Sequence, residues 1–328
     1  MNKKLGLVLL NNAPLILFAA VFLVLGLSSD RFLEGQNLLN IGIQSSSTAI
    51  VAVGMTLVLL TAGVDLSVGS VMFVAVAVAG KMIYSGQPIW LAFIAATAVG
   101  MLAGAINAFF ITRLKIVAFI VTLAMLFSAR GFGLWLTKTR AMNMPESVTA
   151  IGTESVLGVP IPIIILAVVC LTAHLALSQT PFGRQLYAIG HDAEGARKAG
   201  LKVNRILFTT YVVCGACAAL SGLVALTQTG AVSPSFGDKK EFTAIAAAVL
   251  GGTSLFGGRG KVLPGTLLGA VLIQTVENGL VILNANPYLY PIVTSLIILT
   301  AVLLDSVRTR MLETFSKRPI RPKDFVAG

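Results

Sequence analysis

The stretch GHDAEGARKAGLKVNRI, Gly190 to Ile206, stands between two apolar runs and gathers Asp192, Glu194, Arg197, Lys198, Lys202 and Arg205 among small residues. Charges so grouped could dock a partner, but nothing catalytic accompanies them. The chain has no H-E-x-x-H, no G-x-S-x-G and no paired-cysteine zinc spacing. Its two histidines, His174 and His191, stand apart in sequence. Gly257-Gly258-Arg259-Gly260-Lys261 looks like part of a phosphate-binding loop. The full pattern would need Gly at position 255 and Ser or Thr at 262, where Leu255 and Val262 stand. The residues therefore predict no catalytic site, no metal site and no ATP site in this chain; any ATP chemistry needs a partner.

The charged stretch has a local logic. Asp192 is a good N-cap, Ala193 to Ala199 can make two helical turns, and Gly200 suits the position just past a helix end. Ala193, Ala196 and Gly200 recur at three, four and seven residues, which predicts one small-residue face. Such a face lets another backbone approach closely, and the flanking Glu194, Arg197 and Lys198 would orient it. The segment reads either as a docking knob for a cytosolic protein or as an ordinary positively charged loop.

The remaining polar residues sit in apolar surroundings, where they are costly and point to function. Val53–Ser70 and Val249–Gly265 each run from apolar residues through a Gly/Ser/Thr-rich break and back to apolar ones. The first break holds Gly63, Asp65, Ser67 and Gly69; the second holds Gly251, Gly252, Gly257 and Gly258. Transporters are often built from repeats with broken helices near the permeation path. Asp65 or Ser67 could cap the helix after the first break at the cytosolic rim, or take part in gating. Gln274, Glu277 and Asn278 form a polar stripe that either lines a pathway or joins helices. Asn107 is open to both roles, and Arg130 either snorkels, bonds carbonyls or lines a path. Gly100-x-x-x-Gly104 and Gly265-x-x-x-Gly269 predict close helix packing.

These residues need elements to hold them, and composition says which. Of 328 residues, 56% are hydrophobic and 11% charged, against about 25% charged in a soluble domain. Runs of about 20 apolar residues, enough to cross a bilayer, recur at 13–29, 41–60, 68–84, 89–111, 117–136, 160–178, 206–228, 242–257, 263–283 and 289–305. The fold class is an all-α polytopic membrane protein of about ten transmembrane helices, some broken or re-entrant. With the N-terminus inside, seventeen of the Lys and Arg residues fall on the inner side and six on the outer, with Arg130 inside a span. That asymmetry predicts both termini in the cytoplasm. It also accounts for the net charge of +11 without nucleic acid, since no basic stripe interleaved with aromatics appears. The expected organisation is one membrane domain, 1–328, with a cytoplasmic loop at about 179–205 and a basic tail at 306–328. The first apolar stretch reads as a retained span, and Cys170, Cys214 and Cys217 as small buried residues.

The chain resembles the membrane permease subunit of ribose/xylose/galactoside-type bacterial ABC importers. The resemblance rests on Ala52-Val-Gly-Met-Thr56, Gly63-Val-Asp-Leu-Ser-Val-Gly-Ser70, Phe182-Gly-Arg-Gln-Leu-Tyr-Ala-Ile-Gly190 with Ala193, Ala196 and Gly200, and Leu250-Gly-Gly-Thr253 with Gly257-Gly258. One departure is His191, where the family's Ile-Gly-Gly has its second glycine. The resemblance implies a bacterial inner-membrane permease that pairs with a second copy or a similar paralogue, within membrane lipid. A separate ABC ATPase subunit would bind and hydrolyse ATP-Mg, taking the coupling helix Asp192–Gly200 into a cleft. A periplasmic binding protein would deliver a sugar, identity open. Two rivals follow from the residues alone. An ion- or proton-coupled carrier would depend on an intramembrane carboxylate such as Glu277, and a membrane scaffold or enzyme would show a catalytic constellation.

Overall fold

In hydrocarbon every backbone N–H and C=O must be paired within the chain, so apolar runs of bilayer length become helices. The computed structural model describes residues 13–290, then 292–293, 295–297, 299–300, 303 and 306. Lys3, Lys4 and, beyond Ser306, the basic tail lie outside the described residues. The first five expected spans appear as α1 (Ala13–Ser28), α2 (Gly35–Leu60), α3 (Val68–Tyr84), α4 (Ile89–Thr112) and α5 (Ala118–Thr137). Short pieces follow: β1 (Met142–Asn143), α6 (Glu146–Thr153), β2 (Ser155–Val156) and β3 (Val159–Pro160). Then come α7 (Ile161–Gln179), α8 (Pro181–His191), α9 (Ala193–Lys198), α10 (Val203–Thr229), β4 (Ala231–Val232), α11 (Lys240–Leu250), a π-helical turn (Val262–Thr266) and α12 (Leu267–Ile282).

Among the described residues, six helical stretches are long and apolar enough to cross a membrane: α2, α4, α5, α7, α10 and Val262–Ile282. The molecule is an all-α membrane protein. Its strands are two-residue pairs, β1 antiparallel to β4 and β2 to β3. The described positions of the expected span 289–305 after Leu289 are helical.

One expected span is corrected. The apolar run 242–257 is helical only to Leu250, because Gly252 turns left-handed (φ +88°) and its amide bonds back to Val249 O at 2.8 Å. Eleven residues rise about 16 Å, roughly half the bilayer core. Residues 251–261 then run as turns before the chain resumes in α12.

The core forms around α2. Every residue from Ser45 to Leu60 is buried, against α7, α10, α11 and α12. Small residues set how closely these helices approach. A Cβ on Gly100 would overlap Gly215 O, and one on Gly104 would overlap Tyr211 O, so α4 and α10 touch backbone to backbone. Gly265 and Gly269 do the same against Gly251 and Ala247 O. Both small-residue patterns are therefore packing seams.

Candidate functional site

The first helix break begins where α2 runs out of partners. Ala62 is left-handed (φ +59°), and Gly63 N bonds back to Val58 O at 3.3 Å. Asp65 follows, only 1% exposed. Its Oδ1 accepts the Ser67 amide at 2.9 Å and the Ser67 hydroxyl at 2.6 Å. Asn107 Nδ2 on α4 donates to the Ser67 hydroxyl at 3.0 Å. Asp65 is buried, with α4 and α10 closed over the break. One expectation changes here. Ser67 occupies the N-cap position of α3 without capping by its side chain, since its hydroxyl is turned to Asp65. The Tyr211 hydroxyl and Asn107 Oδ1 are buried here with no hydrogen-bond partner among the described residues. Gly63 makes room for the former: a Cβ there would lie 2.7 Å from the Tyr211 oxygen.

The second break closes on the first. Gly257 (φ +83°) and Gly258 (φ +69°) are left-handed, a conformation open to glycine without steric cost. Gly258 N donates to Leu60 O at 3.0 Å, the carbonyl that the end of α2 leaves free. A side chain on Gly257 would meet Gly190 O at 2.8 Å and Ala62 Cβ at 2.9 Å. Deeper in, the Thr56 and Thr266 hydroxyls bond at 2.7 Å, joining α2 to the turn before α12.

The last turn of α8 sits on both breaks at once. A Cβ on Gly190 would overlap Leu60 O and the Gly258 amide. The His191 ring covers Gly258, with Nδ1 2.8 Å from where a Cβ would stand. Tyr187 OH donates to Gly260 O at 2.8 Å, and burial pushes its phenol above the ordinary range. The charged loop thus leads straight into the contact between the two breaks.

Within that loop, Asp192 Oδ1 accepts the amides of Glu194 (3.0 Å) and Gly195 (2.9 Å) and starts α9 as expected. Gly200 (φ +86°) ends it: Gly200 N reaches Arg197 O and Leu201 N reaches Ala196 O, each at 3.0 Å. This is a Schellman closure. The single small-residue face is corrected. Ala196 is buried against Ile189 and Val203 and seats α9 on its own chain. The face open to a partner carries Ala193, Glu194, Arg197, Lys198 and Gly200. Glu194 and Lys198 pair across it at 2.9 Å.

The other polar residues divide. Gln274 Nε2 bonds Gln44 Oε1, and Asn278 Nδ2 bonds Asn37 Oδ1, both at 2.9 Å. They join α12 to α2. Glu277 is half-buried, without a hydrogen-bond partner among the described residues. Asn107 supports the first break. Gly69 packs against Gly237 O and the Glu241 carboxylate, 2.5 Å from a Cβ there. Arg130 lies over the Phe73 ring, 5.0 Å from its centroid, and donates to Phe236 O at 2.8 Å.

A family described as "Branched-chain amino acid transport system / permease component" matches residues 37–303. The chain belongs to this permease family. The permease is similar to the ribose import permease protein RbsC of Haemophilus influenzae, 37% identical over 93% of this chain and 96% of that one. It is 33% identical to the D-allose transport system permease protein AlsC of Escherichia coli, over 85% and 86%. The xylose transport system permease protein XylH of Escherichia coli is 29% identical, over 93% and 94%. No solved structure matches. The permease is a multi-pass protein of the bacterial inner membrane and a transport subunit.

Sequence reasoning missed the Leu60–Gly190–Gly258 contact and the part played by Tyr187 and Tyr211. It also passed over Glu241, which follows Asp238-Lys239-Lys240 and reads as an exterior polar loop.

Proposed function

We propose that the permease carries a sugar as the membrane subunit of an ABC importer. Its Asp192–Gly200 loop docks a separate ATPase, which hydrolyses ATP-Mg, and a periplasmic binding protein delivers the cargo to the other face. In this reading the chain is one membrane domain, broken at residues 61–67 and 251–261, with α11 as a half-length membrane helix and both ends in the cytoplasm. It pairs with a second permease, either an identical copy or a paralogue.

The observation that carries this reading is the seat of α8 on both breaks. A push on α9 reaches Gly190, and through it Leu60 and Gly258, without crossing any flexible linker. Such a contact suits a device that converts ATPase closure into a change of access. The cargo must favour one state by differential binding, since equal affinity for both shifts nothing. Gln274 and Asn278 bond to α2, which weakens the case for a carboxylate relay through Glu277.

The relatives are named for ribose, allose and xylose, whereas the family description names branched-chain amino acids. The mostly neutral polar interior favours the sugar. The test is purification of the tagged chain from native membranes in mild detergent, with mass spectrometry of what accompanies it. A Walker-motif ATPase is expected, and the reconstituted complex should import a sugar in competition with ribose, allose or xylose but not leucine. The chain alone, after gentle crosslinking, would overturn the reading.

A further inference from the structure

A cavity of about 440 Å³ opens where α3, α5 and the Gly230–Lys239 connection meet. That is within the range of roughly 300–1,000 Å³ typical of small-molecule sites. Ser70, Phe127, Arg130, Ser235, Asp238 and Glu241 contribute to its wall. Glu241 is 6% exposed and Ser70 1%; Arg130 is half-buried, and Asp238, Ser235 and Phe127 stand at the rim.

These charges form no close ion pair with one another. Arg130 directs Nη1 to Phe236 O (2.8 Å) and Pro234 O (3.4 Å). Among the described residues no ion pair within 4.0 Å joins it to Asp238 or Glu241. The cavity therefore presents acceptors on two carboxylates, the rest of a guanidinium edge as donor, two hydroxyls and an aromatic face. A neutral molecule with several hydroxyls, each both donor and acceptor, matches that set.

The wall is also joined to both breaks. Gly69, just past the first break, packs on Gly237 and on the Glu241 carboxylate, and Glu241 opens the half-length α11 that leads to the second break. Any change at the breaks reshapes this wall. That is what a cargo site needs if its affinity is to differ between states.

We propose that the Arg130–Asp238–Glu241 cavity is the site where the permease holds the hydroxyls of its cargo. This rests on the sugar-importer reading above. The test uses the complete complex in proteoliposomes with radiolabelled ribose, or with allose or xylose if the wild type takes up one of those instead. Glu241→Gln and Asp238→Asn should each lower uptake at subsaturating sugar about tenfold or more, the effect of weakening a hydrogen bond to a charged group, with copurification of the ATPase unchanged. Ser235→Cys should react with a polar maleimide over the three buried native cysteines, and the sugar should slow that reaction.

Wild-type uptake by both carboxylate variants, unslowed labelling of Ser235→Cys, or protection by leucine in place of sugar would overturn the assignment. If Glu241→Gln fails to assemble, the exposed Asp238→Asn and the labelling experiment decide it. A wild-type complex that imports no sugar overturns the importer reading and this site with it. Import by the wild type with variants that keep pace overturns this site alone.

Discussion

Gly190→Ala is the sharpest perturbation of the contact between the loop and the two breaks. In an isolated helix the change would stabilise by about 0.5–1 kcal/mol, because alanine is the better helix former. Here the new methyl would overlap Leu60 O and Gly258 N. Both are backbone atoms, so no side chain can rotate away, and α8 must lift off the breaks. Overpacking of this kind costs about 1–3 kcal/mol, and loss of the Gly258–Leu60 hydrogen bond adds about 1. The docked arrangement should weaken by about 2–4 kcal/mol, roughly thirtyfold to several hundredfold in population. In proteoliposomes the expected result is ATP hydrolysis that continues while sugar uptake falls. Gly86→Ala, in the turn after α3, is the control: a Cβ there meets nothing within 4 Å, so it carries only left-handed strain of about 1–2 kcal/mol. A Gly190→Ala complex with the wild-type ratio of sugar moved to ATP hydrolysed would refute the reasoning.

Ala193→Trp, on the exposed face of α9, should abolish copurification of the ATPase while limited proteolysis of the loop stays as in the wild type. Ala196→Trp should abolish it too, but with new cleavage at 192–205, since Ala196 is buried against Ile189 and Val203; equal protection in both would contradict that seating. Thr56→Val should lower stability in detergent by about 0.6–1.7 kcal/mol. The Thr56→Val, Thr266→Val pair should cost less than the sum of the singles, as for two partners removed together, read from thermal unfolding. Glu277→Gln should leave uptake within about twofold of wild type, and loss of transport with normal assembly would favour an ion-coupled carrier.

The full-length spans were legible because their signal is local. A run such as Ile89–Thr112 needs only its own backbone to satisfy hydrocarbon. Asp192 and Gly200 were legible for the same reason, since caps act within one turn. The half-length of α11 was not: the Gly/Ser/Thr-rich break after Leu250 shows in the sequence, but the turn that stops the helix there is held by contacts with α2, α8 and α12. Glycines were read as packing residues or breaks, but which backbone each one meets lies far off in sequence. Ala196 and Ala193 are the same residue three positions apart, and only the hydrophobic patch of Ile189 and Val203 turns one inward. The carboxylate of Glu241 gave no periodic signal at all.

The arrangement around α2 also bears on how the protein is made. Gly258 follows Leu60 by 198 positions, so at about 5–20 residues per second the ribosome delivers it roughly 10–40 s after α2. During that interval the most buried helix of the finished molecule gains α7, α10 and α11 only as each is made, and α12 follows later still. Its polar groups are prepared for the delay. Ser45 and Ser46 bond Gly42 O at 3.0 Å, and Thr56 bonds Ala52 O at 2.8 Å, all within the helix itself. Ser47 and Gln44 are different: Ser47 bonds the Ser221 carbonyl on α10, and Gln44 accepts from Gln274 on α12. The early helix is thus a stable guest in lipid that becomes a core only when the second half of the chain arrives to enclose it.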